Sequence, residues 1–113
     1  MKQRLLVMNG QRLVQSEQAG QWSTVKVERA GTLKPGIYHI HLAIDPDKSK
    51  AYDGLILLAD QGYIYQQVGK VLVKHSLPDF EKIPEIASSV RVKYEKGKAV
   101  VSQFVQRLGR GIS

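Results

Sequence analysis

The alternation of apolar and polar positions is densest between Tyr52 and His75, where three apolar runs follow one another within 24 residues. Asp and Gly residues separate the runs, and each run has the length of a short strand. The three runs are Leu55–Ala59, Tyr63–Val68 and Val71–His75. This spacing predicts a tightly connected antiparallel meander, which leaves little room for an active site carried on a helix.

The N-terminal part of the chain predicts four further strands. Asn9-Gly10 stands between two apolar runs and supplies the pair of positive-φ residues that a type I′ hairpin turn requires. The polar stretch Ser16–Gln21 predicts a loop, and the residues 22–28 that follow predict a strand with one solvated face. After a turn at Pro35-Gly36, the run Ile37–Ile44 predicts the fourth of these strands.

One short helix is predicted over residues 78–88, before the chain returns to strands. Phe80, Ile83 and Ile86 recur there at helical spacing. Pro84 lies inside this pattern, so we expect a broken helix rather than a continuous one.

The predicted elements add up to an all-β fold with one short helix. Two alternating runs, over residues 90–95 and 99–105, complete a total of eight or nine short strands. A flat sheet of that many strands would expose its edges, so we expect a small antiparallel barrel or a half-open barrel. The expected organisation is a single β domain over residues 1–106 and a basic flexible tail over residues 107–113.

Composition narrows the classes of protein that fit. A chain of 113 residues is long enough for one domain with its own core. It has no cysteine, which excludes a disulfide framework and a thiolate metal site. No apolar run approaches the roughly 20 residues of a membrane span, and the N-terminal residues lack the apolar core of a signal peptide. The expectation is a soluble cytoplasmic protein that does not engage a membrane.

The positive charge lies at the two ends of the chain. Residues 1–12 carry a net charge of +3, residues 13–90 carry −1, and residues 91–113 carry +5. If the terminal strands are neighbours, their bases form one basic edge, which can face nucleic-acid phosphates or an acidic protein. The residues of this candidate basic edge are Lys2, Arg4, Arg91, Lys93, Lys96, Lys98, Arg107 and Arg110.

Little in the sequence points to catalysis, a metal or a cofactor. His39 and His41 would share one face of the predicted strand, where a third ligand would be needed for zinc; two solvent-facing polar residues are the favoured interpretation. Asp45–Ser49 begins like a calcium loop, but Lys50 stands where the loop needs its sharp-turn glycine. There is neither a Gly-x-Ser-x-Gly motif nor a Gly-rich phosphate loop. We therefore expect no catalytic residue, no metal and no cofactor.

The central meander also carries a set of residues with the spacing of a known family. They are Tyr52–Asp60, then Tyr65, Gln66 and Gly69, and a closing Val73 and His75. This pattern resembles the KfrB family, small domains found on broad-host-range bacterial plasmids. With the upstream Leu33–Tyr38, the likeness covers roughly residues 33–83. The resemblance implies a plasmid-borne accessory protein that is linked to stable maintenance or transfer and has no established catalytic activity.

Four residues of the meander form a candidate partner groove, namely Tyr63, Tyr65, Gln66 and His75. In one interpretation, their polar tips form a buried hydrogen-bonded set that fixes strand register. In the other, they line a recognition groove for a partner peptide or strand. The buried set is the favoured interpretation, because alternating tyrosines in a strand are typical of half-buried packing.

Two functions are therefore predicted. The first follows from the resemblance: a non-enzymatic adaptor in plasmid maintenance or conjugative transfer, which contacts a plasmid-encoded or host protein. The alternative is a small basic nucleic-acid-binding β-barrel, in which Tyr63 and Tyr65 stack on bases and the basic edge neutralises phosphates. Salt separates the two, because binding through several phosphates weakens steeply as salt is added.

Overall fold

The N-terminal strands form a four-stranded antiparallel sheet in the computed structural model, which describes residues 2–31, 33–60 and 62–103. Its strands are β1 (Gln3–Met8), β2 (Gln11–Gln18), β3 (Gln21–Arg29) and β4 (Gly36–Tyr38), in the spatial order β3-β2-β1-β4. Asn9 and Gly10 have φ values of 52° and 74°, which confirms the predicted hairpin turn.

Residues Ser16–Gln18, predicted as part of a loop, instead complete β2. The chain reverses at Ala19 and Gly20, whose φ values of 53° and 79° make a second turn with two left-handed residues. Gln18 and Gln21, on either side of this turn, are exposed. A strand needs apolar residues only where one of its faces is covered, so the polar end of this hairpin remains a strand.

The predicted strand over Ile37–Ile44 is wrong for most of its length, because β4 has only three residues. A 3₁₀ turn over Ile40–Leu42 follows, and it places Ile40, which is 4% exposed, in the core. Ile44 then forms a single parallel bridge with Val73. Burial of Ile40 therefore overrides the extended conformation that the alternation predicts.

The C-terminal strands form a five-stranded antiparallel sheet in the order β7-β6-β5-β8-β9. They are β5 (Tyr52–Asp60), β6 (Tyr63–Val68), β7 (Val71–Ser76), β8 (Ser89–Glu95) and β9 (Lys98–Gln103). The first three pair in sequence, which confirms the predicted meander. A register shift between Ile56 and Leu58 marks a bulge in β5.

The predicted helix over residues 78–88 is wrong. A single 3₁₀ turn over Leu77–Asp79 stands at its start, after which Phe80 forms a parallel bridge to β9. Pro84 cannot donate a helical hydrogen bond, and Ala87 has a φ of 70° that no helix continues. Phe80 and Ile86 pack against the five-stranded sheet, whereas Ile83 is 56% exposed, so the three do not share one buried helical face.

The two sheets pack against each other through apolar side chains that both sheets contribute. This first core includes Leu5, Val7, Val14, Ile40, Leu57, Leu58 and Tyr65. A second core lies on the opposite face of the five-stranded sheet and includes Ile56, Ile64, Val90 and Val92, with Phe80 and Ile86 packed against them. The all-β class is thus confirmed. A closed barrel is not formed, because β3 and β9 are outer strands of separate sheets.

Two predictions about domain organisation concern the C-terminal residues. The domain boundary at residue 106 and the tail over residues 107–113 lie outside the described residues. Within the described ranges, no helix has the length and apolar character needed to cross a membrane.

Candidate functional site

The four residues of the candidate partner groove lie on opposite faces of the five-stranded sheet. Tyr63 and Tyr65 face the four-stranded sheet, and Tyr65 is a member of the first core. Gln66 points to the other face, because side chains alternate along β6. His75 pairs with Ile64 of the second core and lies on that same face. The four side chains do not line a common surface, so they do not form a groove.

Gln66 joins three strands through its side-chain amide, although it is 0% exposed. Its Nε2 lies 3.1, 3.2 and 3.0 Å from the carbonyl oxygens of Tyr52, Gly54 and Val90, so its two N–H groups donate to three acceptors and one N–H is shared between two of them. Two of these acceptors are on β5 and the third is on β8, so a side chain of β6 spans the neighbouring strand. The strands come close here because Gly54 has no side chain: a Cβ on it would lie 1.9 Å from the Gln67 carbonyl oxygen.

The direction of the protons in this network follows from the chemistry of Gln66. Its amide nitrogen faces three carbonyls, so its Oε1 is the atom that lies 2.9 Å from His75 Nε2. The imidazole must then donate from Nε2–H, and its Nδ1 accepts from the Tyr94 hydroxyl at 2.6 Å. We call Tyr94, His75 and Gln66 the buried polar chain; it satisfies a neutral imidazole at both nitrogens.

Burial stabilises the neutral form of each titratable member of the buried polar chain. Desolvation lowers the pKa of His75 from 6.5 to about 4, against a weaker opposing effect of the Asp79 carboxylate. Desolvation also raises the pKa of Tyr94 to about 12, and Asp79 and Tyr52 act in the same direction. The rings of Tyr52 and Phe80 stand edge-on to the imidazole, with centroids 5.8 and 5.9 Å away. This arrangement suits a structural role better than acid–base chemistry.

The candidate basic edge is divided between the two sheets. Lys2 and Arg4 lie at the start of the four-stranded sheet, where the Arg4 guanidinium stacks on Trp22 at 4.0 Å. On the hairpin of β8 and β9, in the other sheet, the exposed lysines are Lys93, Lys96 and Lys98. The described terminal strands therefore do not pair with each other. Arg107 and Arg110 lie outside the described residues.

Two arginines of the terminal segments bind carboxylates of the same chain. Arg91 donates from Nε and Nη2 to the two carboxylate oxygens of Asp53, at 2.6 and 2.9 Å, and this bonding lowers the pKa of Asp53. Arg12 is buried between the sheets, where it donates to Glu28 at 2.6 Å and to the Leu57 carbonyl at 3.3 Å. Sequence reasoning missed this role of Arg12, because both of its acceptors are distant in the chain.

His39 immediately precedes the 3₁₀ turn and His41 lies within it, so the two do not share a strand face. Their ring centroids are 5.7 Å apart, and His41 Nδ1 lies 2.8 Å from the Gln3 carbonyl oxygen. Asp47 accepts hydrogen bonds from the side chain and backbone of Ser49, which lower its pKa. In the part of the chain that the structure describes, no group of three or more His, Cys, Asp or Glu side chains is placed to hold a metal ion.

A concave, mostly apolar surface lies between the two sheets, beside the outer strands β4 and β7. We call it the edge groove; its volume is about 310 Å³. Its apolar walls are four exposed side chains, Ile37, Leu42, Ile44 and Val71, and its polar lining includes His39, Gln67 and Lys70. Sequence reasoning missed this groove because Ile37–Ile44 was interpreted as one strand, and because nothing in the sequence showed which strands are outermost.

Comparison with known proteins identifies the family. The model of the KfrB domain matches residues 51–103, which contain the whole five-stranded sheet. The match begins later and ends later than the 33–83 resemblance. Protein TraB of Escherichia coli is 33% identical over 101 residues, which cover 87% of this chain and 69% of that protein. The chain therefore belongs to the KfrB domain family.

Proposed function

We propose that this protein is a non-enzymatic adaptor that acts in the bacterial cytoplasm, in plasmid maintenance or conjugative transfer, through protein–protein contacts. Membership of the KfrB domain family supports a plasmid-related role. The step from that role to an adaptor rests on which side chains the fold buries and which it leaves exposed.

The observation that carries the proposal is the position of the exposed aliphatic side chains. Four of them surround the edge groove: Ile37 is 50% exposed, Leu42 66%, Ile44 51% and Val71 47%. Contiguous apolar patches of this kind mark interaction sites on soluble proteins. The buried imidazole of His75 lies outside the edge groove and is hydrogen-bonded at both ring nitrogens.

The lining of the edge groove also argues for binding rather than catalysis. The described residues that line it include one lysine, one histidine and one tyrosine, but no Asp, Glu, Ser, Thr or Cys. Nucleophilic catalysis needs a nucleophile activated by a neighbouring base, whereas the Tyr38 hydroxyl donates to the Lys34 carbonyl at 2.8 Å and no hydrogen bond in the described structure joins Tyr38, His39 and Lys70. This groove offers shape and apolar surface instead.

A plasmid that lacks its own copy of the gene, complemented with variants, tests the proposal. The double substitution Leu42→Asp and Ile44→Asp should reduce plasmid retention or transfer at least tenfold, because it places two charges on the apolar wall. Val25→Asp is the matched control, since Val25 is 61% exposed on β3. Equal retention and transfer for the double variant, with thermal unfolding unchanged, would contradict the adaptor function.

A second candidate function rests on the three exposed lysines of the β8–β9 hairpin, which have only Glu95 among them. In this alternative, Lys93, Lys96 and Lys98 contact nucleic-acid phosphates. Fluorescence anisotropy with short single- and double-stranded DNA at low and physiological salt tests it. Binding that survives physiological salt and disappears when the three lysines are reversed to glutamate would favour this function over the adaptor.

A further inference from the structure

We propose that the edge groove binds an extended, acidic and apolar peptide segment of a partner protein, which adds as a strand beside β7. The inference rests on the proposed adaptor function and names the chemistry of the partner. Strand addition of this kind takes affinity from backbone hydrogen bonds and specificity from alternate side chains.

The first argument is that Ile44 pairs with β7 as a neighbouring strand would, but the residues before Ile44 do not continue this pairing. Ile44 N–H donates to the Leu72 carbonyl and Lys74 N–H donates to the Ile44 carbonyl, both at 2.8 Å. The next rung of a parallel ladder would join Leu72 N–H to the Leu42 carbonyl. Leu42 N–H instead donates to the His39 carbonyl at 3.0 Å, inside the 3₁₀ turn, so the chain leaves β7 at this point.

The interrupted pairing leaves backbone polar groups at the edge groove. Because the N–H and C=O of one strand residue point to the same side, the Leu72 N–H faces away from β6 as its carbonyl does. No residue within the described ranges accepts a hydrogen bond from it. Gln67 also lines the groove, and its side-chain amide likewise has no hydrogen-bond partner among the described residues. An extended peptide backbone supplies the acceptors and donors that both groups lack.

The apolar walls fit the side chains of such a peptide. Leu42 and Ile44 stand on one side of the groove and Val71 on the other, with Ile37 of β4 completing the wall. Side chains of an extended peptide alternate, so every second residue can enter the groove while the others face the rim. Apolar residues are therefore expected at alternate positions of the partner segment.

The charge of the groove indicates which residues are favoured at the outward-facing positions of the bound peptide. Lys70 lines the groove and is exposed, none of the described residues that line the groove is an acid, and the chain as a whole has a net charge of +7. The rim of the groove thus favours glutamate or aspartate at the outward positions of a bound segment. A second copy of this chain would bring another +7 and is disfavoured as the occupant.

Anisotropy of a fluorescein-labelled octapeptide of alternating valine and glutamate tests the inference on the full chain. Two comparison peptides, alternating valine–lysine and serine–glutamate, should bind at least tenfold more weakly. Leu42→Ser should weaken binding of the valine–glutamate peptide at least fivefold, and Lys70→Glu by a similar factor. Val25→Ser on β3 should leave it unchanged. Equal binding of the valine–lysine peptide, or binding insensitive to Leu42→Ser, would overturn the proposal, as would displacement of the peptide by duplex DNA.

Amide hydrogen exchange adds a readout that is specific for strand addition. The valine–glutamate peptide should slow exchange of the Leu72 N–H at least tenfold, while the Val73 N–H, which faces β6, should change little. Unchanged exchange at Leu72 in the peptide complex would refute pairing with β7. If the peptide binds but groove variants retain plasmids normally, the adaptor function fails. If groove variants lose the plasmid but no acidic peptide binds, only the present inference fails.

Discussion

Acidification should destabilise this protein by protonating His75 inside the buried polar chain. In the folded state the imidazole accepts from the Tyr94 hydroxyl at Nδ1 and donates to Gln66 from Nε2. Protonation would turn Nδ1 into a donor, so that the Tyr94 hydroxyl could no longer donate to it, and would bury a charge in a residue that is 0% exposed. The pKa of His75 is accordingly lowered from 6.5 to about 4 by desolvation, with Asp79 opposing weakly.

The sign and size of the effect follow from linkage. Since the folded-state pKa of His75 is below the unfolded-state value, the unfolded chain binds more protons between about pH 4 and pH 6.5. The stability is therefore fully present above pH 6.5 and is lost as the pH falls toward 4. The span between the two pKa values corresponds to roughly 3 kcal/mol. Carboxylates with lowered pKa values, such as Asp53, act in the same direction below this window.

Urea unfolding in steps from pH 7.5 to pH 4 measures this dependence. The double variant His39→Gln and His41→Gln should retain it, because both residues are exposed. His75→Gln should be less stable at neutral pH but should lose most of the dependence between pH 6.5 and 4. NMR of the ring nitrogens should show a neutral His75 protonated at Nε2 at pH 5.5. An imidazole that titrates near 6.5, with stability flat from pH 7 to 5, would refute the reasoning.

Two further substitutions test the close packing around the same chain of polar groups. Gly54→Ala should cost at least 2 kcal/mol in urea unfolding, because its Cβ would lie 1.9 Å from the Gln67 carbonyl oxygen; the control Gly97→Ala has open space and should lose only about 1 kcal/mol for its left-handed φ. Tyr94→Phe should cost about 1–2 kcal/mol, because it leaves the buried Nδ1 of His75 without a donor. A loss for Gly54→Ala no larger than that of Gly97→Ala, or a neutral Tyr94→Phe, would count against the geometry.

Elements determined by local turn chemistry could be predicted from the sequence. Asn9-Gly10 sets the first hairpin without help from distant residues, and the Gly-containing breaks after Asp60 and Val68 set the central meander. The prediction of a helix over residues 78–88 was wrong because Phe80 and Ile86 pack on the sheet from a chain that is not helical, which their spacing alone does not show. Only the sheet beneath Phe80 decides between these conformations.

The candidate site was predictable in its members but not in its arrangement. Gln66 and His75 stood out as polar residues in an apolar meander, and the structure gives both a buried role. Their partners could not be predicted, because Gln66 bonds to residues that lie 12 to 24 positions away in the chain. Prediction of the edge groove would also require the order of strands in both sheets and the 3₁₀ turn that keeps the chain away from β7 before Ile44.

The one-way order of protons in the buried polar chain has a consequence for how this family can vary. His75 accepts from Tyr94 and donates to Gln66, whose amide donates in turn to backbone carbonyls, so a change at one position leaves a buried mismatch at its neighbour. Gln66→Glu, for example, would set a carboxylate against the backbone carbonyls that the amide now serves. We expect Tyr94, His75 and Gln66 to be kept or exchanged together among KfrB domains, so that these three positions covary although they lie on three different strands.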